Sequence, residues 1–381
     1  MNTMKKTKRI IALTCLMMLA TLSPILAKGK KEAASPEQNT SSTQETTDNA
    51  GENGNNIEEK AVETPEEKID WSKSRTAYIT PVIKDEPLEF NEVWGYVMTE
   101  REKYFSKDMP ITDLCYFSAD VNSYGELSSI PNPKQFAGFK GRIHLVVTCT
   151  GRALTHFSMT PGTKEYKGIL DAIESASKKY DGIQIDYENI GARDAGNFLT
   201  YLKDIRKRIG PDKILSVALP ARTRTIRDDI FNYQKIEPLV DRILIMAYDE
   251  HWSGSKPGPV ASMDWCKKVA DYAKTVIPKN KLIMGLPLYG RSWEDYCYSD
   301  AWIFTSMNRI MKENDVHTIT RDNGIPHVSF DVKTHVEGYF DDAYSLFERS
   351  KMYKDSGIQN IGFWRIGQED TDFWNYLKIK S

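Results

Sequence analysis

The chain has 381 residues, 51 of them Lys or Arg and 53 Asp or Glu, for a formal net charge of -2 with 40% hydrophobic side chains. Its basic residues are dispersed, with no aromatic-interleaved stripe, which argues against nucleic-acid binding. The six histidines show no paired ligand spacing and the five cysteines no CxxC motif, so no metal site and no cofactor is expected.

Lys5, Lys6, Lys8 and Arg9 precede an apolar run from Ile10 to Ala27, the layout of a secretory signal peptide over residues 1–27. Export to the periplasm, cell envelope or exterior is expected. Thr14, Thr21, Ser23 and Pro24 make the run a poor membrane-spanning helix. Cys15 raises lipid anchoring as a weaker option, since Thr14 is an unusual residue before a lipid-modified cysteine. Residues 28–70 are Glu, Thr, Ser, Asn, Gln and Lys with almost no large apolar side chain, and read as a disordered polar linker. Residues 71–381 are long enough for one large domain with a substantial core, and nothing implies a protein partner, so a monomer is expected. Within it, Cys115 and Cys149 fall in strand-like segments, as a disulfide or as buried thiols.

Strand-like apolar runs recur at Glu92–Met98, Asp113–Ser118, Ile143–Cys149, Gly182–Glu188, Ile214–Leu219, Ile243–Tyr248, Leu282–Leu288 and Ile361–Ile366. Helical patterns at Lys164–Lys179, Ala192–Ile209, Ser262–Val276 and Asp341–Tyr353 lie between several of them. This alternation predicts an α/β fold, a (β/α)8 TIM barrel. The alternative, an open doubly wound sheet, lacks a glycine-rich phosphate loop after its first strand. Glu294–Lys333 is long enough for a small insertion between strands seven and eight, as a lobe or lid over the cleft.

The fourth run carries the strongest functional signal. Ile183, Ile185 and Tyr187 alternate with Gln184, Asp186 and Glu188, so the two acids project the same way with Cα atoms about 6.5 to 7 Å apart. A half-exposed strand with a wet polar face would show the same alternation. Barrel chemistry, however, gathers at the carboxyl ends of strands, and there fall Glu188, Tyr248 and Asp249, Tyr289 and Arg291, and Trp364. Taken singly, each has an ordinary alternative, as a core tryptophan, a loop cap or a surface charge.

Asp181-Gly-Ile-Gln-Ile-Asp-Tyr-Glu188 resembles the DxxDxDxE signature of glycoside hydrolase family 18, the chitinase-like barrels. Met246-Ala-Tyr-Asp249, Gly285-Leu-Pro-Leu-Tyr-Gly-Arg291 and Gly362-Phe-Trp-Arg365 resemble that family's sixth, seventh and eighth strands, and the likeness spans Glu92 to Ser381. Tyr248-Asp-Glu-His-Trp252, Pro257-Gly-Pro259 and Gly338-Tyr-Phe-Asp-Asp342 resemble most the bacterial branch that includes spore-cortex peptidoglycan N-acetylglucosaminidases, although no wall-binding LysM repeat is evident. Two departures stand out. Gln184 replaces the middle acid of the signature, and Thr148-Cys-Thr-Gly151 replaces the Ser-x-Gly-Gly of the third strand.

The resemblance implies retaining hydrolysis of β-1,4 bonds in a polysaccharide containing N-acetylglucosamine, peptidoglycan ahead of chitin, with the substrate's acetamido oxygen as nucleophile. Glu188 would be the general acid and base, Asp186 the acetamido N–H acceptor and charge stabiliser, and Tyr248 a donor to the acetamido oxygen. Gln184 is expected to donate to Asp186 and hold it ionised, and Asp181 to brace the backbone. Trp364 should floor the subsite of the distorted sugar, with Trp94, Trp252 and Trp293 as either further stacking platforms or core residues, and Asp249, Tyr289 and Arg291 near sugar hydroxyls. The alternatives are a non-catalytic carbohydrate-binding lectin on the same barrel, and a hydrolase with Asp186 and Glu188 as metal ligands.

Overall fold

The computed structural model describes residues 67–68, 81–295, 298–332 and 335–380. The expected signal peptide with Cys15, most of the expected linker, and Cys297 lie outside the described residues. Eight parallel strands close on themselves: β1 (Glu92–Met98), β2 (Asp113–Val121), β3 (Arg142–Thr148), β4 (Gly182–Asp186), β5 (Ile214–Pro220), β6 (Arg242–Met246), β7 (Leu282–Pro287) and β8 (Asn360–Trp364). Each pairs with the next, and β8 pairs with β1, Ile361 opposite Val93 and Gly362 opposite Trp94. This is the expected (β/α)8 barrel.

The strands face two interiors. Ile183 and Ile185 of β4, Val217 and Leu219 of β5 and Ile243 and Ile245 of β6 point outward into the main apolar cluster beneath the helices. The helix Lys164–Ser177 buries Tyr166, Ile169, Leu170, Ile173 and Ala176, spaced three and four apart. The helix Ala195–Ile209 likewise buries Phe198, Tyr201, Leu202, Ile205 and Ile209. Caps fix where helices start: the Thr163 hydroxyl accepts from the Tyr166 N–H, and Asp342 forms a capping box with Ser345. The opposite parity fills the lumen, where Trp94, Tyr96, Cys115, Val146, Leu244 and Ile283 form a second cluster.

The lumen is graded from charged to chemical. At the amino end, Glu92 accepts from Arg142 at 2.8 Å and Arg242 at 2.7 Å, and Asp113 accepts from Arg142 at 2.6 Å and His144 at 2.8 Å. Gly182 leaves room for this layer, because a Cβ there would come within 2.3 Å of His144 Nδ1. The carboxyl end holds Phe117, Met246 and Trp364 together with Asp186. Cys115, Cys149 and Cys266 are buried free thiols, so of the two readings for Cys115 and Cys149 the structure has the thiols.

The insertion is larger than expected, running from Tyr289 to Tyr339. Tyr289–Glu294, Tyr298–Ile303, Thr318–Asp322, Ile325–Asp331 and His335–Tyr339 form an antiparallel sheet. Phe304, Met307 and Met311 of the helix Phe304–Glu313 pack with Val316, Ile319, Val328 and Phe340 on one side of it. Tyr289 and Arg291, expected at the end of strand seven, therefore belong to the first strand of the lobe, which follows β7 directly. Glu67 and Lys68, within the stretch read as linker, pair antiparallel with Ile319 and Thr318.

Candidate active site

β4 is buried along its whole length, and its lumen-facing parity carries Gln184 and then Asp186. Gln184 is fully buried one layer below Asp186, level with Tyr96 of β1 and opposite Ser216 of β5. Its Oε1 accepts from the Tyr96 hydroxyl and its Nε2 donates to Ser216 Oγ at 3.3 Å. The expected Gln184–Asp186 bond is therefore not made, because strand register hands both ends of the amide to neighbouring strands. Asp186 Oδ1 is buried without a hydrogen-bond partner. Burial, reinforced by the neighbouring Glu188, pushes the Asp186 carboxyl well above the usual range, the reverse of a group held ionised. Gln184→Asp should thus add a like charge under Asp186 and move the acid limb of the pH–rate profile upward; a profile superimposable on wild type would refute this.

Glu188 lies two residues beyond the strand, its side chain open to the cleft. Its pKa is raised, first by desolvation and then by the charge of Asp249. Asp249 sits in the left-handed region at φ 58°, where its Oδ1 accepts from the Tyr289 hydroxyl at 2.7 Å and from Arg291 Nη2 at 3.1 Å. The Arg291 guanidinium in turn lies over the Tyr289 ring, 5.8 Å from its centroid. Asp249→Asn removes the neighbouring charge, so the pKa of Glu188 should fall and the alkaline limb of activity should shift to lower pH. An unmoved alkaline limb would show that burial alone sets the value. Tyr248 stands among the same acids, and burial followed by Asp186 and Glu188 pushes its phenol well above its ordinary value, which keeps it a donor.

Among the aromatics, Trp364 is half-buried at the end of β8, with Phe117 and Tyr96 edge-on at 4.8 and 5.2 Å. Both rings pack against it at steep angles, 77° and 64°. Trp252 is 53% exposed on the loop after β6. Two stacking expectations fail. Trp94 is fully buried near the charged end of the lumen, tilted against His144 at 4.5 Å with its Nε1 donating to Glu92, because its height along β1 places it far below the mouth. Trp293 is 1% exposed in the lobe's first strand, 6.1 Å from Tyr339, so it offers no open face. Tyr289, 4% exposed with its hydroxyl on Asp249, supports that acid and is not placed as a sugar contact. Asp181 accepts from the Ile143 N–H at 2.8 Å, a brace across the start of β4.

The sequence pattern did not mark Tyr96, Ser216 or Phe117, although Tyr96 shares the parity of Trp94 and Phe117 that of Cys115. It also missed Asp120, which takes the Thr148 hydroxyl of the altered third-strand motif. Among the described residues, no group of three or more His, Cys, Asp or Glu side chains is arranged to hold a metal ion.

The family model for glycosyl hydrolases family 18 matches residues 155–369. A cortical fragment-lytic enzyme of Bacillus anthracis is 25% identical over 289 residues, 70% of this chain and 67% of its own. YdhD of Bacillus subtilis (strain 168) is 28% identical over 222 residues, 54% of this chain and only 51% of its own length. The chain thus spans about half of that relative. Among solved structures, the spore cortex-lytic enzyme SleL of Bacillus cereus superposes with a TM-score of 0.69 at 22% identity, covering 78% of this chain and 77% of that one. A chitinase of Chromobacterium violaceum superposes at 0.65 with 18% identity, covering 75% and 97%. With the barrel closed, the acids at the end of β4 and the family model across more than half of its length, this chain belongs to glycosyl hydrolases family 18.

Proposed function

We propose that this chain is an exported, retaining glycoside hydrolase that cleaves β-1,4 bonds following N-acetylglucosamine in a cell-wall or chitin-like polysaccharide. The observation that carries the reading is the unequal state of two adjacent acids. Glu188 opens to the cleft with a raised pKa, and Asp186 lies buried beside it with an unpartnered oxygen. A carboxyl that stays protonated nearer neutrality is what a general acid needs.

In this scheme Glu188 gives its proton to the leaving glycosidic oxygen while the acetamido carbonyl oxygen bonds to C1 and the C1–O bond breaks. Asp186 Oδ1, free of protein donors, accepts the acetamido N–H, and the positive charge that develops on the cyclic intermediate favours the ionised form of this carboxyl, which burial alone disfavours. Tyr248 donates to the acetamido oxygen. Water then attacks C1 as the Glu188 carboxylate takes its proton, the ring of the intermediate reopens, and the configuration at C1 is retained. The aromatic edges around Trp364 hold that ring as a floor for the reacting sugar.

Release of reducing ends from peptidoglycan and from chitin oligomers, by wild type, Glu188→Gln and wild type with chelator, tests this. Activity lost in Glu188→Gln and kept with chelator supports the proposal. A wild type that binds sugar but releases no ends identifies a lectin, and loss with chelator identifies a metal enzyme.

A further inference from the structure

Three neighbouring strands, β3, β4 and β5, end side by side at the mouth, so the segments that follow them, residues 149–163, 187–194 and 221–232, share one rim of the cleft. Their charges are dispersed in sequence and gathered by the fold. Arg152, Arg193, Arg224 and Arg227 are all exposed there, against Asp228 as the one exposed carboxylate besides Glu188.

The remaining acids of the rim are already occupied. Asp229 is taken by Arg222 through two hydrogen bonds at 2.8 and 3.1 Å. Asp194, 1% exposed, receives His156 at 2.7 Å and Asn197 at 3.1 Å, with Arg193 Nε 3.7 Å away. Arg227 and Asp228 stand 3.6 Å apart at 96% and 92% exposure, fully in water, where such a pair is worth little. Arg152 and Arg224 make no ion pair or hydrogen bond with the described residues. Phe157 and Ile226, on the same segments as Arg152 and Arg224, are exposed as well.

From this we infer that the β3–β5 rim is a specificity surface for carboxylate-bearing glycans, with Arg152 and Arg224 as its principal contacts. A neutral glycan offers these guanidiniums only neutral acceptors, whereas a sugar polymer carrying lactyl or peptide carboxylates offers the planar anion their donor fork matches. The position of the rim follows from the cleft described above, so the inference rests on the glycosidase reading for where substrate lies.

The full chain and its Arg152→Gln/Arg224→Gln variant are assayed on three substrates: a neutral N-acetylglucosamine hexamer, soluble peptidoglycan fragments, and the same fragments stripped of stem peptides. For the double variant, KM on peptidoglycan should rise about two- to thirtyfold, the range for two exposed ion pairs, with kcat and hexamer hydrolysis unchanged. Raising the salt concentration should raise the wild-type KM in the same direction. If the effect survives removal of the peptides, the lactyl carboxylate is the partner; if it vanishes, the peptide carboxylates are. Equal changes on the neutral hexamer, or a KM indifferent to salt and to both substitutions, would overturn the inference. Should the wild type cleave none of the three, the glycosidase reading fails by itself. The rim is then tested by the Kd for peptidoglycan fragments, expected to weaken in the variant and with salt, and overturned if it does neither.

Discussion

Glu188→Gln is expected to lower kcat by about 10² to 10⁴, the usual contribution of a positioned acid and base, while leaving substrate affinity near that of wild type. The amide keeps the shape of the side chain and removes the transferable proton. Because Glu188 opens to the cleft, the substitution breaks no packing. Its pKa is raised in the fold, so the ionised form is disfavoured there, and the native state is weakened above that pKa relative to a neutral side chain. The melting temperature of Glu188→Gln at pH 7 should therefore equal or exceed that of wild type. Activity within tenfold of wild type would remove Glu188 from the acid role, and a fall in melting temperature would show that it carries structure. Both follow from one preparation, by a reducing-end assay and a thermal melt.

Asp113→Ala should have the largest effect on stability. Asp113 is wholly buried, accepts from Arg142 Nε at 2.6 Å, Arg142 Nη2 at 2.8 Å, His144 at 2.8 Å and the Thr112 hydroxyl at 2.7 Å, and pins the amino end of the lumen. Removing it strands a buried imidazole and half of a guanidinium. Breaking a buried pair in this way costs about 3 to 5 kcal/mol, on the order of 10 °C in melting temperature for a domain of this size. The same carboxyl links stability to pH. Burial alone would raise its pKa, but the bonds from His144 and Arg142 overcome that and bring it below the ordinary value. Its contribution is therefore present above the unfolded pKa, about 3.9, and is lost as pH falls through the folded value. Wild type should weaken on acidification below about pH 4, and Asp113→Ala should show less of that slope. A variant as stable as wild type would mean that Glu92 and Arg242 suffice to close the lumen.

The barrel was legible because parallel strands covered on both sides read as continuous apolar runs, and β1, from Glu92 to Met98, ends where its run ends. β2 runs on to Val121, past the expected Ser118, since the ladder to β3 resumes after an irregularity between Phe117 and Ala119. The lobe was legible only as length. Its strands mix exposed and half-buried positions, as in Thr318–Asp322, and pair with segments whose own pattern is weak, so no period marks them. The acids of the site stood out by alternation, whereas the partners of Gln184 did not. Tyr96 and Ser216 lie 88 and 32 positions away and meet it through register, which a local pattern cannot carry. The same limit explains Trp94 and Trp293: an aromatic residue on a strand is visible in sequence, but its height in the barrel or its side of the lobe is not.

The filled lumen also settles how a long polymer can meet this protein. From the Glu92, Asp113 and Arg142 layer upward through Trp94, Tyr96 and Val146, the shaft is closed, so the mouth has no exit along the barrel axis. Under the proposed glycosidase reading, a strand of many sugars could not thread along the barrel axis and would lie across the opening, with the reacting sugar against Trp364, and both fragments would leave by the side on which they arrived.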